Sequence, residues 1–211
     1  MEKSEILSKV DLTLLSPTAT EAQIAALCEK AAALQTASVC VPPCYVGTAA
    51  KTLNGSIKVC TVVGFPNGYG ATAIKAAETE EAVKNGADEI DMVINLGWLK
   101  DKKYDLLLDE IKQIKTVCGE RVLKVIIETC LLDEAEKIKM CEIVSKSGAD
   151  FIKTSTGFSK AGATVEDVVL MRKHCAPAVK IKAAGGIRTF AAAEVMILNG
   201  ADRIGTSSLT E

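Results

Sequence analysis

One short segment occurs three times, and its spacing dictates what this chain can fold into. Asn85-Gly86-Ala87-Asp88-Glu89-Ile90, Ser147-Gly148-Ala149-Asp150-Phe151-Ile152 and Asn199-Gly200-Ala201-Asp202-Arg203-Ile204 each close an amphipathic stretch and open an apolar one. Glycine is the residue that most readily leaves a helix in the left-handed conformation, so each copy reads as a helix-to-strand joint. Strands that alternate with helices of roughly 10–15 residues build βαβ units and a parallel sheet. The spacing predicts eight strands, at 10–14, 38–41, 58–65, 89–94, 121–128, 150–154, 179–183 and 203–206. Helices are expected between them, among others at 21–34, 71–85, 104–118, 133–147, 164–174 and 190–199.

Eight βα units in 211 residues sit at the short end of the range for a TIM (β/α)8 barrel. The rival is an open doubly wound sheet, but no GxGxxG follows the first strand. The barrel is therefore the expected α/β fold, as a single domain over 1–211. Only Thr206-Ser207-Ser208-Leu209-Thr210-Glu211 remains after the eighth strand begins to close, so the eighth helix is expected to be very short or missing.

With 48% hydrophobic and 25% charged residues, the chain has enough apolar material for one sizeable core. A net charge of −2 and only 4% aromatic residues offer neither the basic footprint nor the stacking surface of a nucleic-acid binder. No apolar run reaches transmembrane length, and Met1-Glu2-Lys3-Ser4-Glu5 carries acid where a signal core would be apolar. A cytoplasmic address is expected. The eight cysteines contain no CxxC pair and several fall inside apolar patterns, so they read as reduced structural thiols. With one histidine, a His-rich catalytic metal centre cannot be assembled, and no metal or other cofactor is expected.

Chemistry enters with lysines in apolar strands. Lys153 lies in Phe151-Ile152-Lys153-Thr154-Ser155-Thr156-Gly157, and Lys182 in Val179-Lys180-Ile181-Lys182-Ala183-Ala184-Gly185-Gly186. Lysine is almost never fully buried unless paired. Desolvation favours its neutral form, and a neutral amine can form a Schiff base with a carbonyl. Alternation along a strand places Lys153 with Phe151 and Ser155 on one face, and Lys182 with Lys180 and Ala184. The same rule sends Glu89, Asp91 and Val93 inward on strand four, and Lys124, Ile126 and Glu128 inward on strand five. Lys180 is expected a layer deeper than Lys182, in a structural or paired role. A lone strand lysine is ordinarily an exposed edge residue or part of an ion-pair network. Several inward lysines beside an inward aspartate favour a site at the C-terminal ends of the strands.

Glycine turns follow two of these strands. Ala184-Gly185-Gly186-Ile187-Arg188-Thr189 and Gly205-Thr206-Ser207-Ser208 occupy the loops after strands seven and eight, which often hold phosphate in TIM barrels. Backbone N–H groups there can cradle a phosphate, with hydroxyls from Ser207 and Ser208 and charge from Arg188.

Two segments, 151–158 and 182–189, resemble the signature segments of the deoxyribose-phosphate aldolase family. Supporting likeness comes from Asp11-Leu12-Thr13-Leu14-Leu15, Val63-Gly64-Phe65-Pro66, Gly86-Ala87-Asp88-Glu89-Ile90-Asp91, Leu123-Lys124-Val125-Ile126-Ile127-Glu128-Thr129 and Gly205-Thr206-Ser207-Ser208. The resemblance implies a class I, metal-free aldolase that reversibly cleaves 2-deoxy-D-ribose 5-phosphate to D-glyceraldehyde 3-phosphate and acetaldehyde. It places the Schiff-base lysine at Lys153, a pKa-lowering and proton-transferring lysine at Lys182, and the acid/base aspartate at Asp91. It adds Lys124, Asp11 and Cys40 near the pocket, and phosphate contacts at Gly157, Gly185, Gly186, Gly205, Ser207 and Ser208, with Arg188 beside them. The family usually continues through a final helix and often a tail.

A phosphosugar isomerase or a non-catalytic phosphosugar-binding barrel is the alternative. The expected partners are small phosphosugars and aldehydes, with neither nucleic acid nor membrane; a homodimer or higher homo-oligomer is compatible with the sequence. A cysteine nucleophile at Cys175 beside His174 is weaker, because no acidic residue is placed to orient the histidine, and histidine at a helix end has a dipole explanation. Trp98 reads as loop packing.

Overall fold

The computed structural model describes residues 1–209. Its eight parallel strands close in sequence order into one barrel: β1 (Val10–Thr13), β2 (Ser38–Val41), β3 (Lys58–Val63), β4 (Glu89–Val93), β5 (Val122–Ile126), β6 (Phe151–Lys153), β7 (Lys180–Ala184) and β8 (Arg203–Thr206). The helices are α1 (Lys3–Leu7), α2 (Glu21–Leu34), α3 (Val46–Leu53), α4 (Thr72–Lys84), α5 (Leu96–Lys100), α6 (Tyr104–Cys118), α7 (Glu134–Ser147), α8 (Val165–His174) and α9 (Phe190–Leu198). The expected barrel is present. Within the described residues, 207–209 form no helix after β8. Among those residues, no helix is long and apolar enough to cross a membrane.

The thrice-repeated segment has a definite physical job. Gly86, Gly148 and Gly200 all take positive φ, which releases α4, α7 and α9 toward the next strand. The aspartate two residues on then clasps the preceding strand. Asp88 accepts the Val59 N–H through its carboxylate at 2.9 Å, while its own N–H donates to the Val59 carbonyl. Asp150 does the same to Leu123 at 2.8 Å, and Asp202 to Ile181 at 2.8 Å. A cation backs each aspartate: Lys58, Lys115 and Arg172. The barrel thus grows in two-strand quarters stitched at the N-terminal end. The first quarter is a divergent copy. Gln35 takes the left-handed position at φ 55° and Ala37 donates its N–H to the Val10 carbonyl, but no carboxylate is present there.

Alternation sorts the side chains as the strand pattern predicts. Ile90, Met92, Leu123, Val125, Ile152, Ile181 and Ala183 face outward into the main core beneath the helices. The apolar cluster inside the barrel is small, comprising Cys40, Cys60 and Val62 with Leu15 and Phe65 against it. Charged side chains share the remaining inner space with the buried Val93, Ile126 and Phe151.

Two expectations are corrected. Lys180 is exposed at the N-terminal rim, its ammonium 5.7 Å from the Phe151 ring centre, not in a deeper layer. Glu128 lies beyond the end of β5 in a left-handed conformation, where its carboxylate holds the Thr156 N–H and hydroxyl. Helix α3, after Pro42-Pro43, is the helix between β2 and β3, a stretch not named among the expected helices. The alternation also does not reveal Lys75 on α4, which is fully buried against Glu110 on α6 at 2.9 Å and donates to the Val93 carbonyl at 2.9 Å.

Removing one stitch tests the repeat. Asp150→Ala leaves the Leu123 N–H without its carboxylate acceptor and is expected to lower unfolding free energy by about 1–3 kcal/mol. Urea denaturation should report this as a lower midpoint with an unchanged m value.

Candidate active site

Every strand sends at least one polar group into the barrel. Asp11 comes from β1, Ser38 and Cys40 from β2, Cys60 from β3, Glu89 and Asp91 from β4, Lys124 from β5, Lys153 from β6, Lys182 from β7 and Arg203 from β8. Register aligns them: Asp91 sits opposite Lys124, and Lys153 opposite Lys182.

Asp91 is the junction. Its Oδ2 accepts from both Lys153 Nζ and Lys182 Nζ at 2.7 Å, and its Oδ1 accepts from Lys124 Nζ at 2.7 Å and from the Cys60 thiol at 3.2 Å. Lys124 also meets Glu89 Oε2 at 2.7 Å. Glu89 pairs with Arg203 at 3.3 Å, Arg203 with Asp11 at 2.5 Å, and Asp11 with Lys182 at 2.5 Å. The contacts close a circuit: Asp91, Lys124, Glu89, Arg203, Asp11, Lys182 and back to Asp91. Its charges alternate in sign. Lys153 is attached to this circuit but is not part of it.

Burial alone would protonate these carboxylates, but the surrounding cations win. Asp91 is held well below the usual carboxylate range by Lys124, Lys153 and Lys182, and Asp11 is held low by Lys182, Lys124 and Arg203. For Lys182, burial pushes the other way, yet Asp11 and Asp91 hold its ammonium above the ordinary lysine value. Lys124 is likewise held well above it, chiefly by Asp91 against the cost of burial. Cys60 is pushed well up by burial and its hydrogen bond with Cys40, and that same bond draws Cys40 down. Cys40, Cys60 and Asp91 bring ligand-type atoms close together, as do Asp11, Cys60 and Glu89. Ammonium groups occupy the same carboxylates, which is the wrong surrounding for a cation.

Above this cluster lies a cavity of about 450 Å³ at the C-terminal mouth. Of the seven charged members of the cluster, Lys153 is the one among the cavity's lining residues. Gly157, Gly185, Gly186, Arg188, Gly205 and Ser207 also line it. Ser208 lies behind them; its N–H donates to the Thr206 hydroxyl at 3.2 Å, and that hydroxyl donates to the Ile187 carbonyl at 2.6 Å. Thr206 therefore ties the β7 and β8 loops together. Gly205 has a second role. A Cβ there would lie 2.9 Å from Ala184 Cβ and 3.1 Å from Lys182 Cε, so glycine leaves the space through which Lys182 reaches Asp91.

Several functional-looking residues escape the sequence reading. Leu14, Leu15, Ser16 and Pro17 after β1, together with Thr156 and Phe158 after β6, complete the cavity wall. Arg203 and Cys60 complete the charged floor. For Arg203 a signal existed: it lies on the same strand face as Gly205, two residues earlier.

The cluster defines a pH window. Asp91 and Asp11 titrate below their unfolded values, so their contribution is complete above about pH 4 and is lost as pH falls through the folded values. Lys182 and Lys124 titrate above theirs, so their contribution is complete below about pH 10 and is lost as pH rises through the folded values. Asp91→Asn is expected to lower the neutral-pH unfolding free energy by about 3–5 kcal/mol and to flatten the acid-side slope. Urea unfolding between pH 3 and 8 checks both parts.

The comparisons with known proteins agree with this geometry. The family model described as DeoC/LacD family aldolase matches residues 6–207. A deoxyribose-phosphate aldolase of Clostridioides difficile is 56% identical over 204 residues, covering 97% of this chain and 93% of that protein. One of Streptococcus pyogenes is 54% identical over 209 residues, covering 99% and 94%. Among solved structures, the tetrameric deoxyribose phosphate aldolase of Aeropyrum pernix matches with a TM-score of 0.90 at 31% identity, covering 98% of this chain and 88% of that one. With its barrel, its buried lysines and a family match over almost its full length, this chain belongs to the DeoC/LacD family of aldolases.

Proposed function

We propose that this protein reversibly cleaves 2-deoxy-D-ribose 5-phosphate to D-glyceraldehyde 3-phosphate and acetaldehyde through a Schiff base on Lys153. One observation carries the reading: Lys153 is the amine of the charged cluster that lines the cavity, and it rests on a carboxylate that can exchange protons with it. Four cationic side chains face three carboxylates there, so loss of one proton leaves the interior electrically balanced. A neutral Lys153 supplies that balance and the nucleophile at once.

In cleavage, the Lys153 nitrogen adds to the C1 carbonyl of the open-chain sugar to give a carbinolamine. Loss of water, with a proton delivered to the departing hydroxyl, gives a protonated imine. Removal of the C3 hydroxyl proton then drives the C2–C3 bond electrons into the imine, and glyceraldehyde 3-phosphate leaves. The enamine left on Lys153 takes a proton at C2, and hydrolysis releases acetaldehyde. Asp91, shared between Lys153 and Lys182, is placed to relay protons, directly or through a water. Lys182 keeps a positive charge beside the imine. The glycine turns at 185–186 and 205–207, with Arg188, suit the distant phosphate, which would fix the reacting carbons over Lys153.

Borohydride reduction in the presence of acetaldehyde should replace one hydrogen on Lys153 Nζ with an ethyl group, located by peptide mass mapping. An unmodified Lys153 would favour an isomerase or a non-catalytic binding barrel instead. In steady-state assays for acetaldehyde release with chelator present, wild type should stay active and Lys153→Leu should be inactive while folded. Asp91→Asn should lower kcat by roughly 10²–10⁴-fold.

A further inference from the structure

The charged circuit has a far side that no step of the reaction touches. Glu89 lies two residues before Asp91 on β4, Arg203 opens β8 in register with Lys182, and neither lines the cavity. Glu89 is 4% exposed. Arg203 pairs with both Asp11 and Glu89, and its guanidinium lies 5.6 Å from the Phe151 ring centre. A floor salt bridge would account for the contact alone. It would not account for the alternation: three cations and three carboxylates, each meeting a partner of opposite sign on both sides, with zero net charge around the closed circuit.

We propose that Glu89 and Arg203 are positioning residues that keep this circuit neutral, and so set the pH at which Lys153 becomes able to form its imine. The inference rests on the Schiff-base reading of Lys153 and adds a cause for its reactivity. Lys153 contacts Asp91, and the titratable and charged groups beyond that carboxylate are Cys60, Lys124 and Lys182 on Asp91 itself, Asp11 on Lys182 and Lys124, Cys40 beside Cys60, and then Glu89 and Arg203. With the circuit neutral, Lys153 is the cation in excess when four cations are set against three carboxylates. Deleting a circuit cation leaves a surplus carboxylate, which stabilises the Lys153 ammonium. Deleting a circuit carboxylate does the reverse. Arg203 is held above its ordinary range, chiefly by Asp11 and Glu89 against burial, so it stays charged throughout.

The experiment measures the rate of borohydride-trapped imine formation with acetaldehyde against pH, in wild type, Arg203→Met, Glu89→Gln and the double variant. The midpoint should rise by about one pH unit in Arg203→Met and fall by about one in Glu89→Gln. In the double variant, which removes one charge of each sign, it should return to near the wild-type value. Arg203→Lys should also restore it. If Arg203→Met fails to fold, the downward shift in Glu89→Gln still decides the matter, because a merely structural role predicts slower or weaker enzyme with no displaced midpoint. A trapped adduct on Lys153 in wild type, with unmoved midpoints in the variants, overturns this inference and leaves the Schiff-base reading standing. No adduct in wild type overturns both.

Discussion

The buried carboxylate of Asp91, holding three ammonium groups, is the interaction around which this barrel is built. Taking isolated charges out of water is costly, and the cost is recovered only where each charge has close partners and satisfied hydrogen bonds. Asp91 meets that condition with four donors on its two oxygens. Its partners come from β3, β5, β6 and β7, so satisfying one carboxylate requires four other strands at the correct register. Apolar packing outside the strands can tolerate small shifts. A misplaced strand inside would strand a charge. The polar interior therefore specifies the closure that the outer core stabilises.

The two ends of the barrel divide the work. At the N-terminal end the aspartates Asp88, Asp150 and Asp202 bind backbone N–H groups of the preceding strand, and their effect is mechanical. At the C-terminal end the backbone spreads into loops, Thr206 and Glu128 bind those loops to one another, and a cavity opens. The same residue type does different work because its surroundings differ. The stitching aspartates sit at strand starts beside partly exposed cations, whereas Asp91 is sealed among ammonium groups.

Much of this was legible in the chain, for specific reasons. A period of two sent Asp91, Lys124, Lys153 and Lys182 to one interior, because every strand of a closed parallel barrel obeys the same alternation. What alternation cannot show is distance along the barrel axis. It gave Lys180 and Lys182 one face, yet two residues carry Lys180 out to the exposed rim. Nor can it show contacts made off the strands. Glu128 continues the strand pattern but turns left-handed and binds Thr156, and Lys75 pairs with Glu110 across two helices whose register the sequence does not state. Helix α3 is short and follows Pro42 and Pro43, which precede it without interrupting it.

The two strand lysines differ by the same accounting of charge and access. Lys182 is enclosed: Asp11 and Asp91 flank its ammonium, Gly205 leaves just enough space for its stem, and it is absent from the cavity wall. A group so held is a fixed positive charge, suited to steadying an anion or a carboxylate but not to attacking a carbonyl. Lys153 shares one oxygen with it and has the cavity on its other side. Two lysines from neighbouring strands, alike in sequence setting, thereby acquire opposite characters. The difference lies in the number of carboxylates each can reach, and Asp11 on β1 touches one of them and not the other.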